Sequence, residues 1–239
     1  MASARCFVGT SGWVYDWNPD GLQWYAERSG LNAVEVNATF YRLPPASMVE
    51  SWARRGRRLR WAVKIHRRVS HVHRLNEKAL AFWKRFRERL RPLDELVDFY
   101  LLQLPPSFRA TETNVRRLRG FAREAGLRDR LAVEYRSLDW FEGPGLAVAR
   151  EEGFTVVSVD APPPLGTRLW RSTGSVYLRL HGRTAWYMHD YSVAELSSLV
   201  EGVASLGGDR VYVFFNNDHW MLENAKAMMG ILRSRLRCL

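Results

Sequence analysis

Residues 175–215 read SVYLRLHGRTAWYMHDYSVAELSSLVEGVASLGGDRVYVFF, and this stretch decides the fold. It opens with a short apolar run, Ser175–Leu180, and closes with a second one, Val211–Phe215. Between the two runs, Ser192 stands three residues before Glu195, which is the spacing of a capping box at the start of a helix. Apolar residues then recur at helical spacing until a pair of glycines ends the segment. The order strand, helix, strand predicts two parallel strands joined by a helical crossover.

Apolar runs of the same kind recur along the whole chain. Most are nearly continuous and do not alternate with polar residues, which is typical of parallel strands covered on both faces. Helical patterns separate them, including one that stops at Pro92 and one that stops at Gly126. Eight such units favour closure into a single (β/α)8 TIM-like barrel with parallel strands, an α/β fold that forms one domain over residues 1–239. The predicted strands are Cys6–Gly9, Ala33–Val36, Trp61–Ile65, Val97–Leu102, Leu131–Glu134, Thr155–Val159, Ser175–Leu180 and Val211–Phe215.

A doubly wound open sheet is the alternative architecture. It is disfavoured because Gly9-Thr-Ser-Gly12-Trp13 follows the first strand, where a dinucleotide-binding sheet would carry Gly-x-Gly-x-x-Gly. The Pro-rich segment 161–164 is interpreted as a rigid loop after the sixth strand and not as a domain boundary.

The composition argues against several classes of protein. No stretch approaches the roughly 18 uninterrupted apolar residues of a membrane span, and the chain enters its first strand without a signal-like apolar region. We therefore expect a cytoplasmic protein without a membrane partner. The two cysteines, Cys6 and Cys238, lie near opposite ends of the sequence, so we expect neither a disulfide framework nor zinc bound by thiolates. The sequence does not predict an oligomeric state.

The net charge of +11 is concentrated in the first half of the chain. Residues 1–120 carry 22 Lys or Arg against 11 Asp or Glu, whereas residues 121–239 carry 14 of each. Clustered guanidinium groups bind phosphates, so the asymmetry favours a polyanionic partner such as DNA or RNA. The alternative is a solvated surface that is merely rich in arginine. The candidate nucleic-acid surface consists of Arg54, Arg55, Arg57, Arg58, Arg67 and Arg68.

Polar residues stand at the carboxyl end of nearly every predicted strand. In a TIM-like barrel this end carries the ligand site. Buried polar groups are costly unless they pair with each other or with a ligand, so a site explains the whole set economically. For any one member, a loop clamp or a buried ion pair is the alternative explanation. The set comprises Thr10, Ser11, Asn37, Lys64, His66, Gln103, Glu134, Arg136, Asp160, Arg179, His181, Arg183, Asn216, Asn217 and Asp218.

Six short segments spread from about Phe7 to Ala225 combine strand ends with these polar residues. They are Gly9-Thr-Ser-Gly-Trp13, Val34-Glu-Val-Asn37-Ala-Thr-Phe-Tyr41, Gln103-Leu-Pro-Pro106, Ala132-Val-Glu134-Tyr-Arg136, Arg179-Leu-His181-Gly-Arg183 and Phe214-Phe-Asn-Asn-Asp218. Together they resemble the YecE-like family, also called domain of unknown function 72. The resemblance implies a TIM-like barrel whose polar cluster includes Asn37, Lys64, Gln103, Glu134, Arg136, Asp160, Arg179, His181 and Asn217. No established activity comes with the family.

The polar cluster is compatible with phosphodiester hydrolysis in nucleic acid, which is our first functional prediction. Lys64, Glu134, Asp160 and His181 are the candidate catalytic residues, with the carboxylates and histidine as metal ligands or general base. A divalent ion, Mg²⁺ or Mn²⁺, is the cofactor that such a nuclease-like hydrolase would use, although the sequence shows no two-metal carboxylate cluster. The candidate substrate-binding residues are Asn37, Gln103, Arg136, Arg179, Arg183, Trp186, Asn216 and Asn217.

Two other classes of function stay open. The barrel is also compatible with an enzyme acting on a phosphorylated or carboxylated metabolite, with Arg and Asn side chains as anion clamps and Lys64, Glu134 or His181 as acid or base. The third possibility is a protein that binds nucleic acid without catalysis. Fold-level analogy does not choose among them.

Overall fold

The computed structural model describes residues 4–236 and residue 238. Eight parallel strands form a closed barrel, because the first strand pairs with both the second and the last, and the fifth pairs with the sixth. A ninth, short strand is antiparallel to the end of the sixth strand and lies outside the ring. The barrel strands are β1 (Arg5–Ser11), β2 (Ala33–Val36), β3 (Arg60–Lys64), β4 (Val97–Gln103), β5 (Leu131–Glu134), β6 (Thr155–Asp160), β8 (Ser175–Leu180) and β9 (Arg210–Phe215), and the short antiparallel strand is β7 (Thr167–Arg168). The predicted (β/α)8 architecture is confirmed.

Helices connect the strands around the outside of the barrel. The Ser192 side chain accepts from the Glu195 backbone N–H, and the Glu195 carboxylate accepts from Ser192, so the predicted capping box is present. Gly126 and Gly207 end their helices in the left-handed conformation, with φ of 64° and 65°. The helices are α1 (Gly21–Arg28), α2 (Ala46–Arg55), α3 (Glu77–Arg89), α4 (Glu112–Ala125), α5 (Leu138–Phe141), α6 (Gly145–Glu152), α7 (Val193–Leu206) and α8 (Met221–Leu236).

Aromatic rings fill the lower part of the barrel interior. The Phe99 ring packs edge-on against Tyr177 and Tyr212, with centroids 5.0 and 4.8 Å away. Tyr177 lies on β8 two residues before Arg179, so the two side chains point to the same face of the strand. Its hydroxyl donates to Glu35 Oε2 at 2.6 Å and thereby joins the aromatic layer to a charged layer nearer the barrel mouth.

The cysteines depart from the expectation drawn from the sequence. Cys6 and Cys238 form a disulfide, with their Cα atoms 5.4 Å apart across a separation of 232 residues. The expectation failed because the ends of a closed barrel meet in space: β1 lies next to β9, and α8 packs on β1. In the described part of the chain, no helix is both long and apolar enough to cross a membrane. The cytoplasmic location stays a prediction.

Candidate functional site

The carboxyl ends of the strands surround a pocket of about 390 Å³. Three of the candidate catalytic and substrate-binding residues, Asn37, Lys64 and Asn216, line it directly, as do Ser11 and Asp218 of the wider strand-end set. They follow or end β2, β3 and β9, so the barrel brings together residues that are far apart in sequence. The pocket is lined by Ser11, Tyr15, Asn37, Tyr41, Lys64, Tyr187, Asn216 and Asp218.

Arg179 is the centre of a fully buried ionic network beneath the pocket. Its Nη2 and Nε donate to the two carboxylate oxygens of Glu35, at 2.6 and 3.0 Å, in a two-point pair. Its Nη1 donates to Glu134 Oε2. Ser11 Oγ donates to Glu35 Oε1 at 2.8 Å, and Tyr177 supplies the contact to Oε2. All of these groups are buried, and their charges are compensated within the chain.

Glu134 connects this network to Arg136 and His181. Its Oε1 pairs with Arg136 Nε and lies 3.2 Å from His181 Nε2. Burial alone would raise the pKa of Glu134, but Arg136 and Arg179 overcome it and hold the pKa well below its usual range. Arg136 stacks over the Trp186 ring at 4.4 Å and reaches Gln103 Oε1 at 3.5 Å. Two further predicted site residues, Trp186 and Gln103, therefore contact the network through Arg136.

His181 is neutral in this environment. Burial and the two neighbouring guanidinium groups hold its pKa well below the usual value. Its Nδ1 lies 3.2 Å from Asn216 Nδ2, and its Nε2 lies 3.1 Å from Arg136 Nη2. His181 thus connects the buried network to the Asn216 side chain that lines the pocket.

Lys64 ends β3 and is only 9% exposed. Its ammonium lies 4.5 Å from the centroid of the Phe40 ring, and Thr39 Oγ1 donates to the Lys64 carbonyl at 2.7 Å, which fixes the strand end. None of the hydrogen bonds or ion pairs within residues 4–236 and 238 involves the Lys64 ammonium. Burial, with Arg179 as the next contribution, lowers its pKa to about 7. Lys64 is therefore about half neutral near physiological pH.

Asp160 and Asn217 lie at the same end of the barrel but make other contacts. Both Asp160 oxygens are occupied, Oδ1 by Thr167 and Oδ2 by Arg183 Nε at 3.0 Å and Tyr191 at 2.8 Å. Arg183 also bonds Glu195 Oε1 at 3.1 Å. Asn217 is buried and donates to His189 O and Asn224 Oδ1, both at 2.7 Å. These contacts clamp the loops that follow β8 and β9 and hold Asp160, Arg183 and Asn217 beside the pocket, outside its lining. Their predicted catalytic and substrate-binding roles stay predictions.

The predicted nucleic-acid surface is divided between the two ends of the barrel. Arg54 and Arg55 end α2, and Arg57 and Arg58 follow it, immediately before β3 begins. All four are exposed at the amino end of the strands, opposite the pocket. Arg67 and Arg68 follow β3 and are exposed beside the mouth. The six arginines therefore do not form one continuous surface around the site, because the sequence alternates between the two ends with every strand.

A metal centre was predicted from the carboxylates and His181. In the part of the chain that the structure describes, no three His, Cys, Asp or Glu side chains are grouped so that they could hold a metal ion. Glu134 has cations on both of its oxygens, and its neighbour His181 is held between arginines. The residues present do not fit a divalent ion with a multidentate set of carboxylate ligands.

Glu35 is the most important residue that the sequence analysis missed. It stands in Ala33-Val-Glu-Val36, and all four residues of β2 are buried. A carboxylate inside such a short apolar strand was the available signal, because a buried charge requires a partner. The pocket residues Tyr15, Tyr41 and Tyr187 lie in loops, where no periodic pattern assigns their direction.

Comparisons with known proteins agree with this architecture. A DUF72 family protein from Thermotoga maritima superposes with a TM-score of 0.81 at 28% identity, over 96% of this chain and 98% of that one. A DUF72 family protein from Enterococcus faecalis superposes with a TM-score of 0.82 at 24% identity, over 95% of each chain. A xylose isomerase domain containing protein from Salmonella typhimurium shares the fold alone, with a TM-score of 0.58 at 15% identity over 91% of this chain and 92% of that one. No curated protein matches the chain.

The match to a family model confirms the family resemblance seen in the sequence motifs. The model described as protein of unknown function DUF72 matches residues 7–237, which run from within β1 to just beyond α8. The chain therefore belongs to the DUF72 family.

Proposed function

We propose that the pocket is the active site of an enzyme acting on a small metabolite that carries a carboxylate or phosphate group. Lys64 serves there as the acid or base. The observation that carries this proposal is the Lys64 amine itself, which is nearly buried, has no hydrogen-bond or ion-pair partner among the described residues, and is part of the pocket lining. A pKa of about 7 is the value that suits proton transfer at neutral pH.

The charge balance supports an anionic substrate. In the buried network, Glu35 and Glu134 are matched by Arg136 and Arg179, and His181 is neutral. The network therefore leaves the protonated Lys64 uncompensated. The carboxylate in the pocket lining, Asp218, is about half exposed and is not paired with Lys64, so a substrate anion would neutralise the lysine. Asn37, Asn216 and Tyr187 place further polar groups in the pocket lining.

The size of the pocket supports a small substrate. Its volume of about 390 Å³ lies near the lower end of the roughly 300–1,000 Å³ typical of small-molecule sites. The network that forms its floor is buried, which excludes water and strengthens electrostatic interactions with a bound anion.

Phosphodiester hydrolysis in nucleic acid is the second candidate. Arg67 and Arg68 at the mouth, with the exposed rings of Tyr41 and Tyr187, supply the cations and stacking surfaces that single strands use. Against it, the larger arginine cluster at 54–58 lies at the other end of the barrel. A cleavage assay on oligonucleotides with and without Mg²⁺ or Mn²⁺ separates this activity from the proposed one, and binding without cleavage would favour the third, non-catalytic function.

Anion binding should depend on pH through Lys64. Sulfate and malonate should raise the melting temperature of the wild-type protein, and their affinity should fall by up to about tenfold from pH 6 to pH 8, because Lys64 loses its proton over this range. An anion bound beside Lys64 raises the pKa of the lysine, so by linkage the stabilisation of the protein by the anion is greatest below pH 7. Thermal shift and calorimetry measure both effects.

The matched control for anion binding is a surface lysine. Lys64→Met should abolish the pH-dependent part of the binding, whereas Lys84→Met, at an exposed position of α3, should leave it unchanged. Equal anion affinities at pH 6 and pH 8 in the wild type would contradict the proposed function.

A further inference from the structure

Lysine is scarce in this chain, and its placement is uneven. Only four of the 36 Lys and Arg residues are lysines. Lys78, Lys84 and Lys226 are exposed on helices, whereas Lys64 is buried at a strand end. Arginine supplies almost all of the positive charge in this chain, yet the buried position at the end of β3 carries a lysine. An amine can lose its proton and act as a nucleophile, which a guanidinium cannot do.

The surroundings of Lys64 keep its amine reactive. The charged groups near it are Glu35 on β2, Glu134 and Arg136 on β5, and Arg179 on β8. The two carboxylates are already paired with the arginines, so neither holds the ammonium in an ion pair. Outside the network, Asp218 and three tyrosines share the pocket lining with Lys64, and none of them is paired with its ammonium. Burial, with Lys64 as the next contribution, lowers the pKa of the neighbouring His71 to about 4, so His71 is neutral at pH 7 and adds no charge beside the amine.

We propose that Lys64 is a covalent catalytic residue that forms an iminium with the carbonyl carbon of an aldehyde or ketone substrate. This inference rests on the proposed function and narrows it to anionic substrates that also carry a carbonyl group. It explains why the amine faces the pocket with no ion-pair or hydrogen-bond partner among the described residues: an ion pair would keep Lys64 protonated and unreactive.

The lone pair of Lys64 Nζ attacks the carbonyl carbon and forms a C–N bond, while the π electrons of the carbonyl group move to oxygen, which takes up the proton that the amine releases. The carbinolamine hydroxyl then takes a second proton, from solvent, and leaves as water as the nitrogen lone pair forms the C=N bond. The product is C=NH⁺, in which nitrogen keeps one hydrogen. Its positive charge takes the place of the ammonium charge over the face of Phe40, where the ring stabilises a cation.

Reductive trapping with glyoxylate, an aldehyde that carries a carboxylate, tests the inference. The wild-type protein is treated with glyoxylate and cyanoborohydride at pH 7, and peptide mapping follows each lysine separately. An ordinary lysine with a pKa of about 10.4 is less than about 0.1% neutral at pH 7, so Lys64 should be modified at least tenfold faster than Lys78, Lys84 and Lys226. Lys64→Arg should leave only the slow surface reaction.

Glycolate, which has the same carboxylate but no carbonyl, separates the two proposals. Fast modification of Lys64 that glycolate slows supports both the anion site and the iminium. Fast modification that glycolate does not slow supports the iminium and contradicts the anion site. If glycolate raises the melting temperature but Lys64 reacts no faster than the surface lysines, the iminium inference is wrong and the proposed function stands. If neither effect occurs, both are wrong.

Discussion

Arg179→Met should lower the free energy of unfolding by about 3–5 kcal/mol. Methionine replaces much of the volume but leaves Glu35 and Glu134 buried without the cation that pairs with both of them. A buried charge without its partner is far more costly than a lost surface ion pair. In a protein of 239 residues, a loss of this size corresponds to a melting temperature lower by roughly 6–20 °C. Urea denaturation at pH 7 measures it.

Arg60→Met is the matched control for Arg179→Met. Arg60 pairs with Asp98 at the amino end of the barrel, and its side chain is 36% exposed, so its loss should cost less than about 1 kcal/mol. The deficit of Arg179→Met should also shrink as the pH falls. Without Arg179, burial raises the folded-state pKa of Glu134 relative to its value in the wild type, so protonation at low pH relieves the folded variant. Equal losses of unfolding free energy in the two variants would mean that the buried ion pairs of Arg179 stabilise the protein no more than the partly exposed pair of Arg60.

Glu134→Gln should cost about 2–4 kcal/mol, because it removes the negative charge between Arg136 and Arg179. The loss is smaller than for Arg179→Met, since Glu35 still pairs with Arg179 and the amide oxygen still accepts a hydrogen bond. Wild-type Glu134 has a pKa well below its usual value, so the stability it contributes is present above the unfolded-state pKa and is lost as the pH falls. The difference between wild type and variant should therefore narrow in acid. Thermal denaturation at pH 7 and at pH 4 measures it.

The outcome for Glu134→Gln decides between two roles. A large loss of stability would support a positioning residue that holds Arg136 and His181 beneath the pocket. A melting temperature within a few degrees of wild type would contradict that role and favour the catalytic role predicted from the sequence, in which Glu134 acts on the substrate directly.

The fold was predictable because its signals are local. Each strand is a short, nearly continuous apolar run, and the helix ends at Ser192, Gly126 and Gly207 carry residues whose backbone preferences are specific. The two-residue strand β7 was not predictable, because it carries no pattern of its own and depends on pairing with the end of β6. The disulfide was also missed, because sequence separation says nothing about proximity in a closed barrel.

The site was predictable as a set of strand ends but not as a network. In a strand buried on both faces, hydrophobicity does not show which alternate residues point into the barrel, so Glu35 was not assigned. Nor could the sequence show that both carboxylate oxygens of Asp160 already accept hydrogen bonds, from Thr167, Arg183 and Tyr191. Two of these partners lie more than twenty residues away in sequence. The sequence also does not show which way each side chain points, and this direction is what distinguishes Lys64, which faces the pocket, from Asp160, which is held by neighbouring loops.

The titration of Lys64 shows whether the barrel mouth holds a reactive amine. Because the chain contains four lysines, protein labelled with ¹³C at the lysine ε-carbon should give four resonances that can be assigned with single Lys→Arg variants. We expect the Lys64 resonance to titrate with a pKa of about 7, well below the ordinary lysine value of about 10.4. A Lys64 resonance that titrates near 10 would show that the barrel mouth holds no reactive amine.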